Sequence, residues 1–283
     1  MPLTLRPLPK GRDDRPLLRL SKPEWRFDDL MLAEDTSVVL HEIAEENLHR
    51  ATLAGHGLRP RQRVLLSGLP GMGKTASAHA IATELSMPVA TASLVALTAS
   101  LLGETARNIE AVLAFAEQTA CVLVFDEFDV LAQERDQSRD HGEIRRVAAA
   151  VLQLMEGFRG ESLVVATSNH PQLLDTAVWR RFDDVVTFTA LSQRQSAQLM
   201  ELKLRGYPHR VDSDRWVRRL ADASPADIER VCYDAIRRAI LADSDRVTDI
   251  ELGDAVSRYI SRRTTIRDAT SSSETAGRAD DVN

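Results

Sequence analysis

The stretch Gly68-Leu69-Pro70-Gly71-Met72-Gly73-Lys74-Thr75 decides the fold of this 283-residue chain. It fits the pattern Gly-x-x-x-x-Gly-Lys-(Ser/Thr), in which glycines let backbone N–H groups curl around phosphates, a lysine reaches the outer phosphates and a hydroxyl meets a magnesium ion. The apolar run Val64-Leu65-Leu66 stands directly before it, and a helical pattern runs from about Thr75 to Leu85 after it. The loop is therefore expected between a strand's carboxyl end and a helix's amino end, where unpaired N–H groups favour an anion. Candidate binding residues are Gly68, Pro70, Gly71, Met72, Gly73, Lys74, Thr75 and Ala76, with Thr75 also a candidate metal ligand.

Outward from the loop, apolar runs near 88–92, 121–125, 163–166 and 185–188 read as strands. Helical patterns separate them, one carrying Ile109, Val112, Leu113 and Ala116, another Ile144, Val147, Ala148, Val151, Leu152 and Met155. A further helix begins near Asp35. Strands alternating with helices predict an α/β class, a parallel sheet covered on both faces in an αβα sandwich. Beyond Ala190 the strand signals stop and helices run to about Arg263. The clearest is Pro225 to Leu241, with Ile228, Val231, Cys232, Ala235, Ile236, Ala239 and Ile240 on one stripe. Ser224 suits its N-cap, Pro225 its first position and Asp227 its dipole.

The expected organisation is an extended, mobile basic arm over 1–22, a large nucleotide-binding domain over 23–190, a helical lid subdomain over 191–263 and a tail without structure over 264–283. The arm carries Arg6, Lys10, Arg12, Arg15, Arg19 and Lys22 among prolines, and the tail is rich in Ser, Thr, Ala and Asp. A net charge of −6 argues against a protein that mainly coats nucleic acid. No apolar run is long enough to span a bilayer and no secretory signal opens the chain, so a cytoplasmic location is expected. Cys121 and Cys232 fall among apolar neighbours and read as buried free thiols, with a disulfide or metal pair as the alternative.

The strand Cys121-Val122-Leu123-Val124-Phe125 ends in Asp126-Glu127. A carboxylate at a strand's carboxyl end lies in the crevice where α/β sheets bind ligands, so Asp126 suits a Mg²⁺ ligand and Glu127 a base for the attacking water. With the phosphate loop, this implies Mg-ATP and its hydrolysis. The strand Leu163 to Ala166 runs into Thr167-Ser168-Asn169, where Asn169 suits a contact to the γ-phosphate or the lytic water. Arg180 and Arg181 lie in Val178-Trp179-Arg180-Arg181-Phe182-Asp183. No arginine near the loop is placed to neutralise charge on the γ-phosphate, so these two are candidates for acting from a neighbouring subunit.

In this order the motifs resemble an AAA ATPase of the AAA+ superfamily, over about Phe27 to Arg262. Phe27-Asp28-Asp29-Leu30 resembles the segment that lines the adenine pocket, with Leu30 as its contact. Gly68 to Thr75 resembles Walker A, Asp126-Glu127 Walker B and Asn169 sensor 1. Arg180 and Arg181 resemble the arginine fingers of katanin and spastin-like enzymes, and Ser224-Pro225-Ala226-Asp227-Ile228 resembles the opening of the lid helix. The resemblance implies a homo-oligomeric ring, usually a hexamer, that remodels or threads a protein substrate.

Two departures keep alternatives open. The positions matching the family's pore loop are Leu101, Leu102 and Gly103, with no aromatic, and no folded amino-terminal domain is recognised. These favour a second expectation, an ATP-controlled switch or assembly factor acting on a partner protein. Small bacterial members with a similar Asp-Glu-Phe-Asp end imply a separately encoded partner, in some cases a subtilisin-like protease. A nucleic-acid remodeler using the basic arm is a third. The stretch Glu134 to Glu143 suits either a second pore-facing loop or a solvated face.

Overall fold

The strand before the phosphate loop is central to the sheet. In the computed structural model, which describes residues 7–12, 14–93, 97, 102–129, 153–173 and 179–280, the chain divides into two compact units after Ala190. The first contains, in order, β1 (Leu18–Ser21), α1 (Glu34–Leu48), α2 (Arg50–Gly55), β2 (Arg63–Gly68), α3 (Lys74–Glu84), β3 (Val89–Ala92), α4 (Leu102–Gln118), β4 (Val122–Phe125), β5 (Leu163–Ser168) and β6 (Asp184–Phe188). The strands form one sheet in the order β1-β3-β4-β5-β2-β6. All neighbours are parallel except β1, which runs antiparallel to β3.

Successive residues of a strand point to opposite faces, and both faces here are covered. Leu65, Leu123, Phe125, Val164 and Ala166 pack on one side with Ile109, Val112, Leu113 and Ala116 of α4. Val64, Leu66, Val122, Val124, Leu163 and Val165 pack on the other with Leu40 and Ile43 of α1 and Ala78 and Ile81 of α3. This double burial explains why the strands are apolar throughout rather than alternating.

The mobile arm expected over 1–22 is corrected for Leu17 to Ser21. Leu17 and Leu18 are only 1% and 2% exposed, and Leu18 to Ser21 pair with Ala92 to Val89. The large unit thus begins with β1 rather than at residue 23. Prolines and arginines around Leu17-Leu18-Arg19-Leu20 obscured a short apolar run whose stability comes from β3.

The second unit holds α5 (Gln193–Leu204), β7 (His209–Arg210), α6 (Ser213–Arg219), α7 (Pro225–Leu241), β8 (Val247–Thr248) and α8 (Asp249–Asp280). Ser224 and Asp227 form a reciprocal capping box at the start of α7, and Ser192 and Gln195 do the same for α5. The unit is not all helix, because β7 and β8 pair in parallel. Such two-residue strands are too short to leave a periodic signal. Helix α8 continues through Asp280 where a structureless tail was expected. No proline interrupts 264–280, and the hydroxyls of Thr264 and Thr265 donate to the carbonyls of Ile260 and Ser261 one turn back. Cys121 and Cys232 are free and buried; burial raises both thiol pKa values, Cys232 to about 12.

Candidate functional site

The phosphate loop leaves β2 at Gly68, where the adjacent strand leaves no room for a side chain. A Cβ there would lie 2.6 Å from the Phe188 carbonyl oxygen. The crest, Leu69 to Gly71, is exposed, while the Met72 side chain turns into the core. Gly73 then adopts φ +94° as the N-cap of α3, a left-handed conformation that glycine reaches without a Cβ clash. Helix α3 starts at Lys74, so its first N–H groups and dipole face the loop, and Ala76 follows in its first turn.

Lys74 is 6% exposed and donates from Nζ to the carbonyls of Gly68 at 2.7 Å and Leu69 at 2.8 Å. Burial lowers its pKa, and the carboxylates of Asp126 and Asp129 oppose that shift. A desolvated ammonium inside a turn of backbone suits a multiply charged anion.

Asp126 emerges from β4 facing α3. Thr75 Oγ1 donates to its Oδ1 and Oδ2 at 3.2 and 3.4 Å. A hydroxyl beside a carboxylate is the hard-oxygen donor set that magnesium takes along with phosphate oxygens, so these residues fit Mg-ATP. Glu127, the next residue, is exposed and has a left-handed backbone, φ +54°. Asn169 follows β5 directly and is half-buried. Its backbone N–H donates to Asp129 Oδ1 at 3.2 Å. The fold therefore brings Lys74, Thr75, Asp126, Glu127 and Asn169 to the carboxyl ends of β2, β4 and β5.

The two arginines lie elsewhere. Both precede β6, which is parallel to β2 with Asp184 opposite Val64 and Phe188 opposite Gly68. They stand at the amino edge of the sheet, a strand length of roughly 13 Å from the loop at about 3.3 Å per residue. Arg180 is exposed, and Arg181 Nη1 pairs with Glu156 Oε1 at 3.0 Å. Leu30 is half-buried after a 3-10 turn, Phe27–Asp29, whose Phe27 stacks on His41 of α1 at 4.1 Å. The residue of that segment beside the loop is Leu32, whose Cδ2 lies 3.8 Å from where a Gly73 Cβ would be. Leu101, residues 134–143 and residues 174–178 lie outside the described residues. Leu102 and Gly103 open α4.

Sequence reasoning missed three residues. Leu32 lies two positions beyond Leu30, and Asp129, 2% exposed, is the third residue after Asp126. Thr167 is 1% exposed. Its hydroxyl donates to Asp126 Oδ1 at 2.5 Å and accepts the Glu127 N–H at 3.0 Å. Only the two polar residues between an apolar strand and Asn169 hinted at it.

A phosphate loop between β2 and α3, facing an acid at the end of β4 in a parallel αβα sheet, defines a P-loop nucleoside triphosphatase. Residues 64–190 match the family described as ATPase family associated with various cellular activities (AAA). The chain is 35% identical over 257 residues to the uncharacterized AAA family ATPase y4kL of Sinorhizobium fredii, covering 91% of this chain and 77% of that one. It is 29% identical to the ATP-dependent zinc metalloprotease FtsH 3 of Sphaerobacter thermophilus, over 90% of this chain and 53% of that one. Against the proteasome-activating nucleotidase of Methanococcus maripaludis it is 28% identical, over 90% of this chain and 66% of the relative. The chain belongs to the AAA family of ATPases: it binds ATP and hydrolyses it. It spans about half to three quarters of these three relatives' lengths. Among the described residues no helix is long and apolar enough to cross a membrane.

Proposed function

We propose that this chain forms a homo-oligomeric ring, of six subunits by the family resemblance, that uses Mg-ATP to remodel or thread a protein substrate together with a separately encoded partner. The observation that carries the reading is the strand length between Arg180 and Arg181 and the chain's own phosphate loop. An arginine near the γ-phosphate is worth about 10³ to 10⁵ in rate in phosphoryl transfer, and a neighbouring subunit can supply what this chain keeps away from its own site. Two relatives carry protein-degradation names, a metalloprotease and a proteasome-activating nucleotidase, which supports a protein as the substrate.

Lys74 and the loop N–H groups bind the phosphates. Thr75 and Asp126 would hold magnesium, which would supply neutralisation of the phosphate charge. Glu127, exposed at the end of β4, takes the proton of the attacking water, and Asn169 orients that water or the γ-phosphate. Glu127→Gln should bind ATP with near-parental affinity and turn it over at least 100-fold more slowly, measured by nucleotide binding and phosphate release. Turnover at the parental rate would remove Glu127 from the base position.

A further inference from the structure

We propose that Thr167 is the positioning residue that sets Asp126 and Glu127 for catalysis, a role that rests on the reading of those two acids above. A threonine hydroxyl has one proton and two lone pairs, and here it serves two residues. The proton goes to Asp126 Oδ1 at 2.5 Å, and the oxygen accepts the Glu127 N–H at 3.0 Å. The Thr167 carbonyl accepts the Phe128 N–H at 2.8 Å. Three successive residues leaving β4 are thus tied to one residue of β5.

Each bond has a consequence for the chemistry. Asp126 Oδ1 receives two hydroxyls, Thr167 at 2.5 Å and Thr75 at 3.2 Å. The shorter bond fixes the carboxylate's rotation, so Thr75 need not hold it and remains free to turn a lone pair toward a metal. Glu127 occupies the left-handed region at φ +54°, which a residue with a side chain enters only when its surroundings compel it. The bond to its N–H, with that of Phe128 beside it, supplies the restraint and so aims the carboxylate. Thr167 is 1% exposed, so water cannot replace the hydroxyl if it is removed.

Thr167→Val keeps the shape and removes donor and acceptor together, whereas Thr167→Ser keeps the oxygen. Turnover in Thr167→Val is expected to fall at least tenfold with ATP affinity within about threefold of the parent, and Thr167→Ser to recover to within about threefold. In nucleotide-free protein, amide hydrogen exchange across 126–128 should be at least tenfold faster in Thr167→Val than in the parent or Thr167→Ser. Parental turnover in Thr167→Val, unchanged exchange there, or a Thr167→Ser as impaired as Thr167→Val would each overturn the assignment. Should Thr167→Val fail to fold, Thr167→Ser against Thr167→Ala repeats the comparison with a single oxygen as the difference. The parallel Glu127→Gln measurement separates the two readings: an inactive Glu127→Gln beside a fully active Thr167→Val sinks the role of Thr167 alone, and an active Glu127→Gln sinks that of Glu127.

Discussion

Individual residues at the phosphate site are constrained from directions that a motif does not display. Gly68 is required by the first position of the loop pattern, yet its packing restriction comes from β6. A methyl group would meet the Phe188 carbonyl oxygen at 2.6 Å and its Cβ at 2.9 Å, and both belong to a strand fixed by its ladder with β2. Gly68→Ala is therefore expected to destabilise the chain by about 1–3 kcal/mol, the range for overpacking a well-filled core, as read by urea unfolding. A change below about 0.5 kcal/mol, the usual scatter of surface substitutions, would show that the β2–β6 spacing yields. The phosphate loop and Asp126-Glu127 were legible as residues because glycine, lysine and paired acids at strand ends have few other uses. Thr167 was not, since a threonine ending a strand is ordinary and its partner Asp126 lies 41 residues away in sequence.

At the scale of elements, α7 was readable from Pro225 to Leu241 because a long apolar stripe and a capping box agree. β1, β7 and β8 were not, being stabilised by distant partners rather than by local pattern. The second unit holds its small sheet against α5 and α6 through one polar cluster. His209 Nε2 meets Glu201 Oε2 at 2.9 Å, Nδ1 meets the Tyr207 carbonyl at 3.1 Å, and the Ser213 hydroxyl donates to Glu201. Two acceptors on one imidazole favour its doubly protonated form. Burial opposes that charge, but the bonds to Glu201 and Tyr207 outweigh it and raise the His209 pKa above 6.5. Glu201 is likewise opposed by burial, and the bonds from Ser213 and His209 lower it below 4.5.

The signs follow from linkage. The histidine contribution is whole below pH 6.5 and is lost as pH rises through its raised value. The glutamate contribution is whole above pH 4.5 and is lost as pH falls through its depressed value. The cluster stabilises most between these limits. His209→Gln should therefore lower Tm by more at pH 5.5 than at pH 8.5, by thermal melts of both proteins. An equal gap at the two pH values would mean that the charge contributes nothing.

For the whole molecule, the proposed ring makes ATP hydrolysis a property of neighbours. Arg180→Ala and Glu127→Gln are each expected to lose turnover alone, because in that reading they damage opposite sides of a shared site. Rings mixed from both should recover activity, since some interfaces then pair an intact acid with an intact arginine. Purely additive loss in mixtures proven to co-assemble would place the arginines outside the chemistry. Such an assembly depends on each subunit offering only its intended faces, and β1 bears on this directly. Hydrogen-bonded to β3 on one side, it caps the backbone of Val89–Ala92. A fragment starting at Pro23 would leave that row of amide and carbonyl groups bare on an apolar strand, the kind of open edge that recruits a second sheet. β1 is itself the edge of the sheet, but it is four residues long and carries Arg19, so it replaces the apolar edge of β3 with a short, charged one of the kind that discourages further strand pairing.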